Sequence, residues 1–299
     1  MSNRGIWKGF SLAIIAGLLW GLSATFGQFL LQQRGMNPEW LVTVRLLISG
    51  VILLGISYFQ KNSIQEIWKN KKDAIQLVVF SLFGVLATQY TYFAAIQASN
   101  APTATVLQYL CPVMIAVYLA FSEKKKPTGF GYLTILLALG GTFLLVTHGN
   151  IQSLSISPVA FFWGITSAIA LAIYSMQPIG LLKKYSSQTV IGWGMLIGGI
   201  AFSFVHAPWN PEGYWDLSTY LFTAFIIFGG SLIAFSSYLI AVKYIGPQKS
   251  SLIATLEPLS ATVFSVLWLQ TNFQTLDWVG ALCILSTIFL LTLTKTQKS

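Results

Sequence analysis

Charge is scarce in this sequence. Asp, Glu, Lys and Arg make up 8% of its 299 residues, whereas a soluble domain carries about a quarter. So little charge cannot cover a globule of this size, which excludes an ordinary water-soluble fold. Acid is scarcer than base, with 8 Asp and Glu against 17 Lys and Arg. The two cysteines, Cys111 and Cys283, make no disulfide framework and have no metal-ligand spacing. The sequence therefore predicts no metal and no cofactor. It also lacks a phosphate-cradling glycine loop, which argues against coupling to ATP.

Apolar residues supply what charge does not, at 55% of the chain and a mean hydropathy of +0.70. A helix crossing a bilayer needs roughly 20 mostly apolar residues. Such runs lie near 9–31, 40–59, 74–96, 101–121, 129–147, 158–180, 189–206, 218–241, 249–270 and 276–294. They are too long and too unpunctuated for membrane β-strands. The first is too long for a signal-peptide core and is expected to remain as the first helix. Nothing sizeable remains outside the runs for a separate soluble domain.

The basic residues are distributed unevenly between the connections. With the N-terminus in the cytoplasm, every Lys and Arg except Arg34 and Arg45 falls on the cytoplasmic side, including the run Lys124, Lys125 and Lys126. That is the distribution of the positive-inside rule. Both termini are then cytoplasmic, and the excess of base needs no nucleic acid to explain it. Trp209 and Trp215 in the outer loop "HAPWNPEGYWDLS" are expected to anchor at the membrane surface.

The chain also repeats itself. Residues 83–112 align without gaps on 229–258, matching Gly84 with Gly230, Tyr92 with Tyr238 and Pro112 with Pro258. Each half holds five runs, so the second half enters the membrane from the opposite side. The predicted fold is an all-α integral membrane protein of ten transmembrane helices. These form two inverted five-helix repeats, 1–150 and 151–299, with both termini inside. Such architectures are recurrent among secondary transporters, with the substrate near the midplane between repeats.

Several motifs carry a family resemblance over nearly the whole chain. They are "LLWG" (18–21), "VRLLISG" (44–50), the stretches ending "YLCP" (109–112) and "TLEP" (255–258), and a glycine-rich last helix in each half. Together they resemble the drug/metabolite transporter superfamily, of the EamA type. The family usually carries a Gly-Glu pair at the end of the fourth helix of each half. Here the first half has Glu123 without the glycine and the second has Gln270, both read as structural caps. The resemblance implies export or exchange of small polar metabolites, often amino acids, through a central cavity in the cytoplasmic membrane. It also implies that the last helix of each half is peripheral or forms a homodimer contact.

Glu257 is the acid within a predicted span. A charge at mid-bilayer costs about 3 kcal/mol on insertion scales, so it should face a wet cavity or a partner. Pro258 has no N–H and leaves the carbonyl of Ala254 free. Ser250, Ala254, Glu257 and Ala261 form one helical stripe, and Ala104, Gln108 and Cys111 form its counterpart. Arg45 is expected about 10 Å from Glu257 along the membrane normal. It is therefore read as snorkelling outward or binding carbonyls. An unpaired Glu257 is suited to exchanging a proton for substrate.

The other candidates for substrate binding are Trp20, Gln89, Tyr92, Trp163, Tyr174 and Ser237. The aromatic ones could receive an apolar or cationic group, against core packing as the competing reading for each. Gly194 and Gly198 read as helix-packing residues, and His148 and His206 as solvated histidines at the outer membrane ends. No catalytic residues are assigned, because the spans offer no paired acids and no Ser/His arrangement. The function predicted is a secondary transporter. Its rivals are proton-coupled efflux of drug-like organic cations, an intramembrane enzyme, and a non-transporting membrane scaffold.

Overall fold

Small polar residues fix where six of the described helices begin, because their side chains accept the N–H groups that a first turn leaves unpaired. The computed structural model describes residues 3–122, 129–149 and 155–296. Glu123 and Lys124, Lys125 and Lys126 lie outside them. Helix α1 (Asn3–Gln28) continues into a π-helical turn, Phe29–Gln33. Asn37 caps α2 (Pro38–Phe59), accepting from the Glu39 N–H at 2.8 Å, and Pro38 opens the first turn. Short α3 (Glu66–Lys69) precedes α4 (Lys71–Val79), which Asn70 caps. A second π turn, Phe80–Leu86, joins α4 to α5 (Ala87–Ala98). Asn100 starts α6 (Ala101–Gln108), followed by α7 (Cys111–Ser122) and α8 (Gly129–Thr147).

Ser157 caps α9 (Pro158–Met176), which leads into α10 (Ile179–Leu182), and Ser186 caps α11 (Ser187–Phe202). Asp216 caps α12 (Leu217–Ile227), which runs through a third π turn, Phe228–Ile233, into α13 (Ala234–Ala254). The chain closes with α14 (Leu256–Leu269) and α15 (Thr275–Thr296).

The protein is an all-α, multi-pass membrane protein, but ten crossings in two inverted five-helix repeats do not hold. Among the described residues, six helices are long and apolar enough to span: Ile6–Gln33, Pro38–Phe59, Lys71–Ala98, Ala101–Ser122, Pro158–Leu182 and Leu217–Val242. Gly131–Thr147, Ser187–Phe202, Leu256–Leu269 and Thr275–Thr287 are apolar but shorter. The difference comes from where helices start and stop. Hydropathy sees one apolar run over 249–270, yet α13 continues through 246–249 and the break comes at Thr255. The helix after that break has 14 residues, about 21 Å of length against a core of about 30 Å.

Long-range packing joins residues before 150 to residues after it. Helix α1 lies along α13 and α14, α2 on α11, and α8 on α15. Helix α9 packs against the Phe80–Leu86 turn, α5, α6 and α7. Helices α8 and α15 cross where glycines meet, since a Cβ on Gly141 would lie 2.7 Å from the Gly280 carbonyl oxygen. Phe59, Phe121, Phe204 and Leu267 are exposed, as expected where lipid is the solvent.

Each end carries an ion pair. At one, Asp73 accepts from Lys184 Nζ at 2.8 Å and from the Tyr185 hydroxyl at 2.9 Å. At the other, Arg34 pairs with Asp216 at 2.9 Å. The Asp216 carboxyl lies below the usual carboxylate range, first because the Thr219 backbone N–H donates to it, with the Thr219 hydroxyl and Arg34 adding to this against partial burial. His148 is not simply solvated, for its Nε2 lies 2.6 Å from Asp277 Oδ1. Trp215 also departs from a pure surface anchor, packing edge-on to Trp40 at 5.1 Å. Trp209 stays exposed.

A candidate substrate site where two helix breaks meet

Two prolines place the ends of four helices in one interior region. Pro258 cannot donate to the carbonyl of Ala254, and the chain breaks there, α13 ending at Ala254 and α14 starting at Leu256. Pro112 stands in the first turn of α7, after a break at Tyr109 and Leu110 that comes at the end of α6. The freed carbonyl finds a donor across this gap. The Tyr109 hydroxyl is 3.2 Å from Ala254 O and 3.1 Å from Glu257 Oε2, one proton shared between two acceptors. Glu257 lies in the first turn of α14, where the helix dipole favours a carboxylate.

Close packing with α1 holds α14 in place. The Ser260 hydroxyl donates to Glu257 O at 2.9 Å and lies 3.3 Å from Gly17 O. Thr25 Oγ1 is 3.3 Å from Ser265 Oγ and 3.4 Å from Ala261 O. A Cβ on Gly21 would strike Ser260 Oγ and come within 2.7 Å of the Ala261 nitrogen and 2.8 Å of Glu257 O. Only glycine allows this approach.

Arg45 turns inward rather than snorkelling. It is 5% exposed on α2 and donates through Nε to Ser231 Oγ at 2.7 Å, in the π turn Phe228–Ile233. Its guanidinium lies 5.5 Å from the centre of the Phe93 ring. Arg45 and Glu257 feel each other's charge, and Tyr92 feels both. No described ion pair joins them. The inward direction follows from packing, since α2 is covered by α5, α11, α12 and the π turn. A polar π-turn side chain then meets the guanidinium before water does.

Among the residues singled out in the sequence, Trp20, Tyr92, Tyr174 and Glu257 converge. Tyr92 hydrogen-bonds Thr105 Oγ1 at 2.7 Å. Trp20 packs against Phe235 at 5.1 Å and Tyr238 at 5.5 Å. Tyr238 is an electrostatic neighbour of both Tyr109 and Tyr174. Gln108 lies beside this group, donating to Ser167 Oγ at 2.7 Å and tying α6 to α9. Ser237 is buried on α13 next to Tyr238.

Trp163 and Gln89 fall elsewhere. Trp163 packs edge-on to Tyr90 at 5.4 Å, and Tyr90 donates to Glu39 at 2.8 Å. Along α9 this is about 16 Å from Tyr174, at 1.5 Å per residue. Gln89 is half-buried beside Tyr90. Gly194 and Gly198 face the Phe80–Leu86 turn, as helix-packing residues do.

Sequence reasoning passed over Tyr109, Ser231, Phe93 and Ser167. Tyr109 was within reach, since it stands in the quoted "YLCP" just ahead of the proline break. Tyr238 aligned with Tyr92 in the repeat. Ser231 carried no signal, because only the π turn directs it at Arg45. Among the described residues no cluster of three His, Cys, Asp or Glu could hold a metal.

A half-buried acid, a separate buried cation and a set of aromatic hydroxyls lie inside a multi-pass helix bundle, an arrangement that fits a membrane transport protein. The chain belongs to the EamA-like transporter family, whose model matches residues 7–147 and again 158–293. Membership makes it a secondary transporter of the cell membrane and not an enzyme.

A relative in Salmonella typhimurium, the uncharacterized inner membrane transporter YicL, is 40% identical over 98% of this chain and 97% of its own. The inner membrane protein YtfF of Escherichia coli is 26% identical over 92% of this chain and 78% of its own. A solved crystal structure covers all of both chains at a TM-score of 0.64 and 16% identity. That likeness concerns the fold alone.

Proposed function

We propose that the chain is an exporter or exchanger of small polar metabolites such as amino acids, working by alternating access. In this reading its two halves, 1–150 and 151–299, close in turn over Glu257. The observation that carries the reading is the Tyr109 hydroxyl shared between Ala254 O and Glu257. It joins an intramembrane acid to a broken helix in each half, so relative movement of the halves must remake that contact. Trp20, Tyr92, Gln108, Tyr174 and Glu257 are the substrate-contacting residues on this account. Glu257 receives an ammonium group or a proton, and the rings of Trp20 and Tyr174 receive the rest of the molecule.

The cross-half packing of α1 on α14 and of α6 on α9 supports a rocking interface. Helices α8 and α15 use their glycine faces on each other, which leaves their outer sides for a second copy. The test is counterflow of labelled amino acids and amines in proteoliposomes. A carrier gives uptake accelerated by unlabelled compound inside, and a gated channel does not. With Glu257→Gln the acceleration should fall at least tenfold and its pH dependence should flatten. An unchanged pH dependence in Glu257→Gln would remove Glu257 from the coupling step.

A further inference from the structure

The guanidinium of Arg45 has more hydrogen-bonding capacity than the protein uses. It carries five N–H donors, of which Nε is taken by Ser231 at 2.7 Å. The two Nη groups make no hydrogen bond to a described residue and are not sealed off from accessible space. The group is nonetheless held in one orientation. Ser231 fixes its Nε edge while donating its own proton to Ile226 O at 3.1 Å, and Phe93 lies against its plane. Unpaired donors on a buried cation are costly, so a partner is expected at that edge.

Two hydroxyls on the same helices are also unpartnered, but these are sealed from solvent. Ser49, one turn beyond Arg45 on α2, is wholly buried with its hydroxyl unpartnered. Thr88, one turn before Tyr92 on α5, is also buried and unpartnered. The spacing of four residues keeps Ser49 near the Arg45 face and Thr88 near the Tyr92 face, and α2 packs on α5. The packed pair α2 and α5 thus carries a fixed cation and two spare buried hydroxyls.

We infer that Arg45 docks a carboxylate of the transported molecule through its free Nη edge. This assignment rests on the transport reading above. A planar carboxylate matches two parallel N–H donors. A phosphate dianion fits less well, because among the described residues no second cation stands beside the Arg45 guanidinium to balance it. Ser231 and Phe93 are then positioning residues, holding the fork toward the ligand.

The test uses the full chain in lipid nanodiscs, with benzoate, benzamide and phenylphosphonate as probes in thermal-shift titrations. Benzoate and benzamide share a shape and differ in charge. The wild type should prefer benzoate to benzamide at least tenfold and should not prefer phenylphosphonate to benzoate. Arg45→Gln should abolish the benzoate preference, and Arg45→Lys should keep a reduced one. Ser231→Ala, which leaves the charge but frees the fork, should weaken it several-fold.

Equal responses to benzoate and benzamide, no response to benzoate in folded wild type, or a preference that survives Arg45→Gln would each overturn the assignment. A stronger response to phenylphosphonate would overturn its chemical class. Counterflow separates this assignment from the transport reading. An Arg45-dependent benzoate preference without counterflow of any compound refutes transport and keeps the carboxylate site. Counterflow of an amino acid that Arg45→Gln leaves unchanged does the reverse.

Discussion

Replacing Gly21 with alanine tests how α1 and α14 hold the site together. The added Cβ would meet Ser260 Oγ, the Ala261 nitrogen at 2.7 Å and Glu257 O at 2.8 Å. Ser260 can rotate away, but the two backbone atoms cannot. Ordinary contact to a Cβ begins at 3.4 Å, so α14 must retreat by about 0.7 Å. Overpacking of this kind costs about 1–3 kcal/mol. The retreat also strains the 3.1 Å bond from Tyr109 to Glu257.

Gly55→Ala is the control. A Cβ there meets nothing within 4 Å, and Gly to Ala inside a helix gains about 0.5–1 kcal/mol. Thermal unfolding in one detergent at one scan rate should therefore lower the midpoint for Gly21→Ala and leave it level or raised for Gly55→Ala. If Gly21→Ala matched the wild type, or both variants fell alike, the close approach of α1 to α14 would be wrong.

Other variants probe separate contacts. Tyr109→Phe strips the donor from Ala254 O and Glu257, and an unsatisfied buried acceptor costs about 1–3 kcal/mol. Its melting point should fall and its counterflow rate should change with it. Gln270 ends α14 in the left-handed region at φ 54°, so Gln270→Gly should stabilise by about 1 kcal/mol in the same melt. Asp216 titrates below its unfolded value, so its stabilising contribution is complete above the unfolded carboxylate pKa near 3.8. It is lost as pH falls through the lower folded value. Asp216→Asn should therefore reduce the drop in melting point between pH 5 and pH 3 relative to wild type, in paired melts.

Much of the site could be read from the letters because it derives from covalent facts. Pro258 lacks an N–H, so the open carbonyl at Ala254 was predictable, and a lone intramembrane acid beside it marked the place. The direction of Arg45 was not predictable. Depth along a span gives no account of which helix will cover it, and Ser231 reaches it only because a π turn re-aims that stretch. The number of crossings misled for a similar reason. Hydropathy windows join residues across helix breaks, as at Thr255, and cannot see that the resulting piece is too short. Caps at Asn37, Asn100 and Asp216 lay in the sequence as ordinary signals. The pairing of Tyr109 with Glu257 belongs to packing between distant segments.

The central claim is that the place where the two helix breaks meet is a hydrated part of the transport path. It is tested most directly by placing a cysteine at Glu257 in a chain whose Cys111 and Cys283 are replaced by alanine. The account predicts that a hydrophilic, membrane-impermeant thiol reagent modifies this cysteine in proteoliposomes, and that a compound active in counterflow slows the reaction. A folded protein whose Glu257→Cys thiol stays inert until detergent denaturation would contradict it.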